Sequence, residues 1–313
     1  MVYSLPEITL KLGFELRQIF VTASTLPMSL PKMSKHSWQN HRRIAFLYAV
    51  PIGLLGGLMG LGGAEFRLPV LVGSLKYSAR EAIYLNLAVS LVTIAAAIPI
   101  RGTTLSFTPV IPFLPAVLSL IVGAVITAFV GTAIAHRLSN RQLEQIILYL
   151  LVIIGTTLII EGFLPTEITA LLPNILGLWL IAGVGFGLLI GLVSSLLGVA
   201  GGEIIIPTLI FAFGADVKTA GTSALLISLP TVLVGVLRYA SKGVFRIPVA
   251  APLDYSHPLK NTVLPMGIGS AIGALLGGLM VGVVPGQILK VVLGIILIIS
   301  AVRVFFHQKR SSH

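Results

Sequence analysis

A glycine-rich phrase that carries one carboxylate occurs twice in this chain, inside hydrophobic sequence. The first phrase covers residues 60–69 (GLGGAEFRLP) and the second covers residues 198–207 (GVAGGEIIIP). Their glutamates, Glu65 and Glu203, are 138 residues apart, and so are their prolines. A repeated helix-breaking segment with a carboxylate at membrane depth indicates that something is bound or moved there.

The glycine phrases could bind an anion. Backbone N–H groups without helical partners and the positive ends of two half-helix dipoles attract negative charge. Pro69 and Pro207 fit the first position of a helix, so we expect extended chain over 60–68 and 198–206, with short helices that begin at the prolines. The alternative is that glycines only allow close helix packing. We prefer that alternative for three isolated glycines: Gly123, Gly155 and Gly294.

The charged residues of the phrases add a second kind of chemistry. A desolvated Glu65 or Glu203 can bind a proton together with the substrate, which would couple anion movement to protons. Alternatively, each glutamate accepts hydrogen bonds from the N–H donors of its own turn, as a helix cap does. Arg67, whose counterpart in the second phrase is Ile205, either pairs with Glu65 or attracts the substrate.

Polar residues follow each phrase. Asn86, Ser90 and Thr93 are four and three positions apart, so they share one helix face. Thr222 and Ser223 lie in the corresponding region of the second half. These faces either line a polar path or form hydrogen bonds between helices. The predicted substrate-binding residues are Gly60, Gly62, Gly63, Glu65, Arg67, Asn86, Ser90, Gly198, Gly201, Gly202, Glu203, Thr222 and Ser223.

Composition sets the class of protein. Hydrophobic residues make up 56% of the chain and charged residues 10%, with a mean hydropathy of +1.03, which is typical of an integral membrane protein. The absence of cysteine excludes disulfides and thiolate metal sites. No catalytic triad, metal-ligand spacing or phosphate loop appears, so we expect no enzyme activity, metal or cofactor. The net charge of +11 reflects basic cytoplasmic loops rather than nucleic-acid binding.

Ten hydrophobic segments follow a basic leader. Two of them, at 68–75 and 206–213, are too short to cross about 30 Å of hydrocarbon, and each lies at the end of a glycine phrase. The predicted fold is therefore all-α and multi-pass, with two inverted repeats of about five segments each. These comprise eight full spans and two short re-entrant or half helices.

Basic residues set the orientation, because they concentrate in cytoplasmic loops. Both termini are predicted to be cytoplasmic, and Arg101, on the outer side, is the one exception to the charge pattern. The chain then divides into a cytoplasmic leader without an assigned function (1–43), a first transmembrane repeat (44–162), an extracytoplasmic linker (163–174), a second transmembrane repeat (175–304) and a cytoplasmic tail (305–313).

The repeat also carries a family resemblance. The patterns Gly53-x6-Gly60-x-Gly-Gly-Ala-x4-Pro69 and Gly191-x6-Gly198-x-Ala-Gly-Gly-x4-Pro207 resemble the signature of the TauE/SafE sulfite exporter family. The resemblance implies a cell-membrane permease for sulfite, organosulfonates or related small oxyanions. The implied partners are a small anion and the lipid bilayer. The presence of Glu65 and Glu203 predicts protons as a further transported species. These glutamates stand where the family usually has an apolar residue, and Ala64 and Ala200 replace glycines.

A second hypothesis is that the protein has the same membrane fold but does not transport a substrate. The chain could be a membrane assembly or scaffold protein that docks through its leader. Deletion of residues 1–40 would then abolish function, whereas Glu65→Gln and Glu203→Gln would leave it intact. The sequence leaves the anion, the transport direction, the coupling ion and the oligomeric state open.

Overall fold

The computed structural model of this chain is a bundle of α-helices. It describes residues 35–77, 79–134, 170–241 and 258–310, with isolated positions between 149 and 163 and residue 245. No strand occurs in these parts. The described helices are α1 (Lys35–Met59), α2 (Ala64–Pro69), α3 (Ala79–Leu105), α4 (Leu114–Ile134), α5 (Leu176–Leu197), α6 (Gly202–Phe211), α7 (Val217–Ser241), α8 (Leu264–Met280) and α9 (Gly286–Arg310).

Six stretches of the described chain are long and apolar enough to cross a membrane: Gln39–Met59, Glu81–Leu105, Thr108–Ala128, Leu176–Ser195, Val217–Ser241 and Leu259–Met280. The helices α2 and α6 are shorter, as is the apolar part of α9. Large apolar side chains also face outward, such as Leu118, Val122 and Ile126 along α4. The prediction of an all-α, multi-pass membrane protein is confirmed. The predicted span at 143–160 lies largely outside the described residues.

Helices from the two halves pack in exchanged pairs. The first helix, α1, packs along α8, and α4 packs along α5. In the repeat, α5 corresponds to α1, and α8 corresponds to α4. The pair α1–α8 therefore corresponds to the pair α5–α4, with the two halves of the chain exchanged. The helix α3 also contacts its own counterpart α7. This exchange of partners is the arrangement expected of two repeats related by a pseudo-twofold axis.

Glycines allow the close contact between α1 and α8. Gly273 lies against the backbone of Val50, and Gly277 lies against the backbone of Leu54. A Cβ atom on either glycine would overlap these backbone atoms. The packing role predicted for three isolated glycines is also found, because Gly155 and Gly294 approach each other and Gly123 approaches α5. Small residues therefore set the helix spacing in this bundle.

We expect Gly273→Ala to lower the thermal stability of the purified protein in detergent. The added methyl group must push α1 and α8 apart, and overpacking of this kind costs about 1–3 kcal/mol. Gly185→Ala is the matched control, because a Cβ at this helical position meets no atom within 4 Å. That control should be neutral or stabilising by about 0.4–1 kcal/mol, since alanine restricts the unfolded chain. Equal melting temperatures for the two variants would contradict this packing.

Two sequence expectations about helix boundaries are changed. The first helix begins at Lys35, so residues 35–43 of the predicted leader form its first turns. Extended chain up to the prolines was also expected, and this is wrong, because α2 begins at Ala64 and α6 at Gly202. Left-handed glycines reverse the chain within a few residues, so helix can start well before each proline.

Candidate functional site

The site is formed around two tight turns. Gly60, Gly62 and Gly63 have φ angles of 82°, 78° and 72° in the first glycine turn (residues 60–63). Gly198 and Gly201 have φ angles of 65° and 78° in the second glycine turn (residues 198–201). Residues with side chains rarely adopt this left-handed conformation, which explains the glycines. The two phrases therefore share left-handed glycines at two corresponding positions, Gly60 with Gly198 and Gly63 with Gly201, whereas Gly62 has no left-handed counterpart at Ala200.

The two glycine turns meet each other inside the protein. A Cβ atom on Gly62 would lie 3.5 Å from the Cβ of Ala200, its own repeat counterpart. Gly202 lies equally close to the first turn, where its Cβ would be 3.0 Å from the Cα of Leu61. The fold thus brings together two segments that are 138 residues apart in the chain.

Not all backbone donors of these turns are open to a ligand. The N–H groups of Gly60 and Leu61 both donate to the carbonyl of Gly56, at 2.8 and 3.1 Å. The carbonyl of Gly201 accepts from the first turn of α6, from Ile204 and Ile205 at 3.0 Å each. These donors are used within the turns, so the predicted anion site cannot rely on them.

Arg67 lies at the centre of a fully buried network. Its Nε donates to Asn86 Oδ1 at 3.1 Å, and Nη2 donates to Ser90 Oγ at 2.7 Å and to the Gly62 carbonyl at 2.6 Å. Its Nη1 donates to Thr93 Oγ1 at 2.8 Å and to Ser270 Oγ at 3.2 Å. These contacts use all five N–H groups that a guanidinium offers. The predicted polar face of α3 is thus a set of acceptors for Arg67.

This network breaks the symmetry of the two halves. Arg67 Nη2 lies between the Gly62 carbonyl and the hydroxyl of Ser90. At the corresponding place in the second half, Ser228 donates directly to the carbonyl of Ala200 at 2.8 Å. An isoleucine replaces the arginine there, so nothing separates the serine from the turn. In the first half the Arg67 guanidinium bridges the turn carbonyl and the serine hydroxyl, whereas in the second half the serine bonds the turn carbonyl directly.

Asn86 joins the first helix residue after the first glycine turn to the second glycine turn. Its amide nitrogen donates to the carbonyl of Ala64 at 3.0 Å and to the carbonyl of Gly198 at 2.9 Å, while its oxygen accepts from Arg67. The side chain is fully buried and uses both donors and its acceptor. Asn86 therefore connects helix α3 with the start of α2 and with the second glycine turn, which is a structural role at the predicted site.

The two glutamates are buried at the starts of the short helices. Glu65 lies in the first turn of α2 and Glu203 in the first turn of α6, with 8% and 6% of their surfaces exposed. Neither carboxyl oxygen of Glu65 has a hydrogen-bond partner in the described part of the chain. Arg67 donates its five hydrogen bonds to other groups, so its interaction with Glu65, one of the two roles considered for it, is electrostatic and not a hydrogen bond.

The remaining predicted residues divide into two kinds. Thr222 donates to the carbonyl of Lys218, one turn earlier in α7, at 2.9 Å, which is ordinary helix packing. The hydroxyl of Ser223 is fully buried and has no partner among the described residues. A small cavity lies away from all the predicted residues, and its lining includes Leu87, Ser194, Thr231 and Arg238.

Arg101 is a buried cation that the predicted set omits. Its side chain is fully buried, and Nη2 donates to the carbonyl of Leu58 at 3.1 Å. Its Nε and Nη1 have no partner in the described chain. The sequence does carry a signal for it, because Arg101 is the one residue that the charge pattern leaves on the outer side.

Membrane-length helices in exchanged pairs, with glycine turns that meet beside buried charges, define an internally repeated, multi-pass membrane protein. The family model described as "Sulfite exporter TauE/SafE" matches residues 2–158 and 183–313. The chain therefore belongs to the TauE/SafE family, as its motifs predicted. Comparisons with curated proteins and with solved structures found no significant match. The family is one of anion exporters, which confirms membrane transport as the class of function and fits a protein that is not an enzyme.

Proposed function

We propose that this protein moves sulfite, an organosulfonate or a related small oxyanion across the cell membrane, coupled to protons through Glu65 and Glu203. The observation that carries the proposal is the meeting of two glycine turns, one from each half, beside buried ionisable side chains. Substrate sites of repeat-built transporters lie where the repeats meet, at the ends of broken helices. The family membership supplies the class of substrate.

The proton part of the proposal rests on Glu65. Both of its carboxyl oxygens are buried without a hydrogen-bond partner in the described residues, so they are open to a proton or a ligand. Ionisable side chains inside membrane proteins mark ion paths and proton relays. Glu203 holds the matching position in the second half, so the two carboxyl groups provide one proton site per repeat.

Movement of one half against the other would open the site to each side in turn. The exchanged pairs α1–α8 and α4–α5 each join helices from both halves, so each pair can act as a rigid unit. Rocking of such units about a pseudo-twofold axis gives alternating access. In this proposal both termini are cytoplasmic, and residues 44–162 and 175–304 are the two repeats.

A flux assay in proteoliposomes tests the proposal. We expect the purified protein to carry sulfite or a sulfonate, and we expect the initial rate to rise several-fold when a proton gradient is imposed. Empty liposomes and a gradient collapsed by a protonophore are the controls. Absence of flux for every small oxyanion tested, at every imposed pH difference, would overturn the proposal and favour the assembly hypothesis.

A further inference from the structure

We propose that Arg101 is an anion-binding residue, and that its guanidinium N–H groups without an acceptor in the described residues, at the crossing of the first glycine turn with helix α7, contact the transported oxyanion. This inference rests on the proposed function and identifies the cationic group of the site. It also separates the roles of the two buried arginines, because Arg67 holds the fold together and Arg101 meets the substrate.

The hydrogen bonds of the two arginines differ sharply. Both are fully buried, and both carry five N–H donors. Arg67 makes five hydrogen bonds to protein acceptors, so it has no donor left for a ligand. Arg101 donates a hydrogen bond to the carbonyl of Leu58, and its Nε and Nη1 have no acceptor in the described chain. Only Arg101 can therefore offer a ligand several donors.

Two glycines leave room for the guanidinium group of Arg101. Nη1 lies beside Gly60 and Gly221, at the point where the first glycine turn crosses helix α7. A Cβ atom on Gly221 would lie 2.7 Å from Nη1, and one on Gly60 would lie 2.5 Å from it. At the corresponding crossing of the second half, Gly198 packs against Ile83, and an apolar side chain fills the space. The two crossings thus differ in chemistry, and only the first presents a cation.

No direct partner among the described residues neutralises the charge of Arg101. Asp216 acts on it electrostatically, but this aspartate is exposed, and its Oδ1 accepts hydrogen bonds from the N–H groups of Lys218 and Thr219. A buried cation without a partner is costly to a fold, by several kcal/mol in general. An oxyanion that accepts hydrogen bonds from the N–H groups of Arg101 that lack an acceptor would remove that cost, because guanidinium groups form strong charge-assisted N–H···O bonds with oxyanions.

Ligand-dependent thermal stability of the purified protein tests the assignment. The probes are sodium sulfite, methanesulfonate and sodium sulfate, each compared with sodium chloride at equal ionic strength. We expect one oxyanion to raise the melting temperature of the wild-type protein in a saturable way. For Arg101→Met we expect no such rise, and for Arg101→Lys a response that needs about tenfold to a hundredfold more anion.

The melting temperature without anion separates binding from folding. Because Nε and Nη1 of Arg101 have no acceptor in the described chain, Arg101→Met should melt at the wild-type temperature or above it. Arg43→Met, at an exposed position of α1, is the matched control and should keep the full anion response. If the methionine variant does not fold, Arg101→Lys decides, since it keeps the charge and loses the planar fork.

Each outcome has one meaning. Loss of the anion response in Arg101→Met, with the response kept in Arg43→Met, supports the inference. A wild-type response in both Arg101 variants overturns the inference and leaves the proposed transport function standing. A wild-type protein that responds to no oxyanion and shows no flux in proteoliposomes overturns both.

Discussion

Replacement of Arg67 by methionine is expected to destabilise the protein by on the order of 3 kcal/mol or more, because each buried acceptor left without a donor costs about 1–3 kcal/mol. The lost donors serve Asn86, Ser90, Thr93, Ser270 and the Gly62 carbonyl. These bonds join α2, α3, α8 and the first glycine turn, so their loss should loosen the junction of the two halves. Thermal unfolding in detergent measures the effect.

The control for this prediction is the exposed Arg43→Met, whose effect should stay within about 0.5 kcal/mol, as for most surface substitutions. Arg67→Lys should fall between the two, since an ammonium keeps the charge but offers three donors instead of five. If Arg67→Met melts at the wild-type temperature, the network does not hold the two halves together.

Replacement of Glu65 by glutamine is expected to remove the dependence of transport on an imposed proton gradient. The amide has nearly the same size as the carboxyl group, but it cannot take up and release a proton as a carboxyl group does. Because neither oxygen of Glu65 has a partner in the described residues, the substitution breaks no hydrogen bond found there, and the variant should fold normally. The initial rate of anion uptake into proteoliposomes, with and without the gradient, is the measurement.

Glu81→Gln is the matched control, since Glu81 also lies in the first turn of a helix but outside both glycine phrases. This variant should keep the wild-type dependence on the gradient. Glu203→Gln tests the second half, and we expect it to weaken the dependence as well. An unchanged gradient response in both Glu65→Gln and Glu203→Gln would show that proton coupling, if present, uses other groups.

Much of the architecture could be predicted from the sequence, for a physical reason. Apolar runs of membrane length indicate segments that are surrounded by lipid. A sequence pattern repeated at a spacing of 138 residues indicates a repeated fold. The positions of the two turns also follow from their glycines, which alone adopt left-handed conformations without strain. The prediction failed at the start of the short helices. The local preference of the residue before a proline is weak, and the glycine turns overrode it at Leu68 and Ile206.

The roles of the buried charges depended on tertiary structure. The sequence placed Glu65 and Arg67 two positions apart and suggested a pair, but packing gave Arg67 five neutral acceptors instead. One of them, Ser270, lies 203 residues away in the chain.

The sequence alone determined the class of protein, its repeat and the location of its two turns, because hydrophobicity and glycine conformation are local properties. Only the tertiary structure decided that all five N–H groups of Arg67 have acceptors, whereas Nε and Nη1 of Arg101 have none among the described residues. The reason is that the hydrogen-bond partners of a buried side chain depend on which helices pack around it, and the spacing of residues along the chain does not specify that packing.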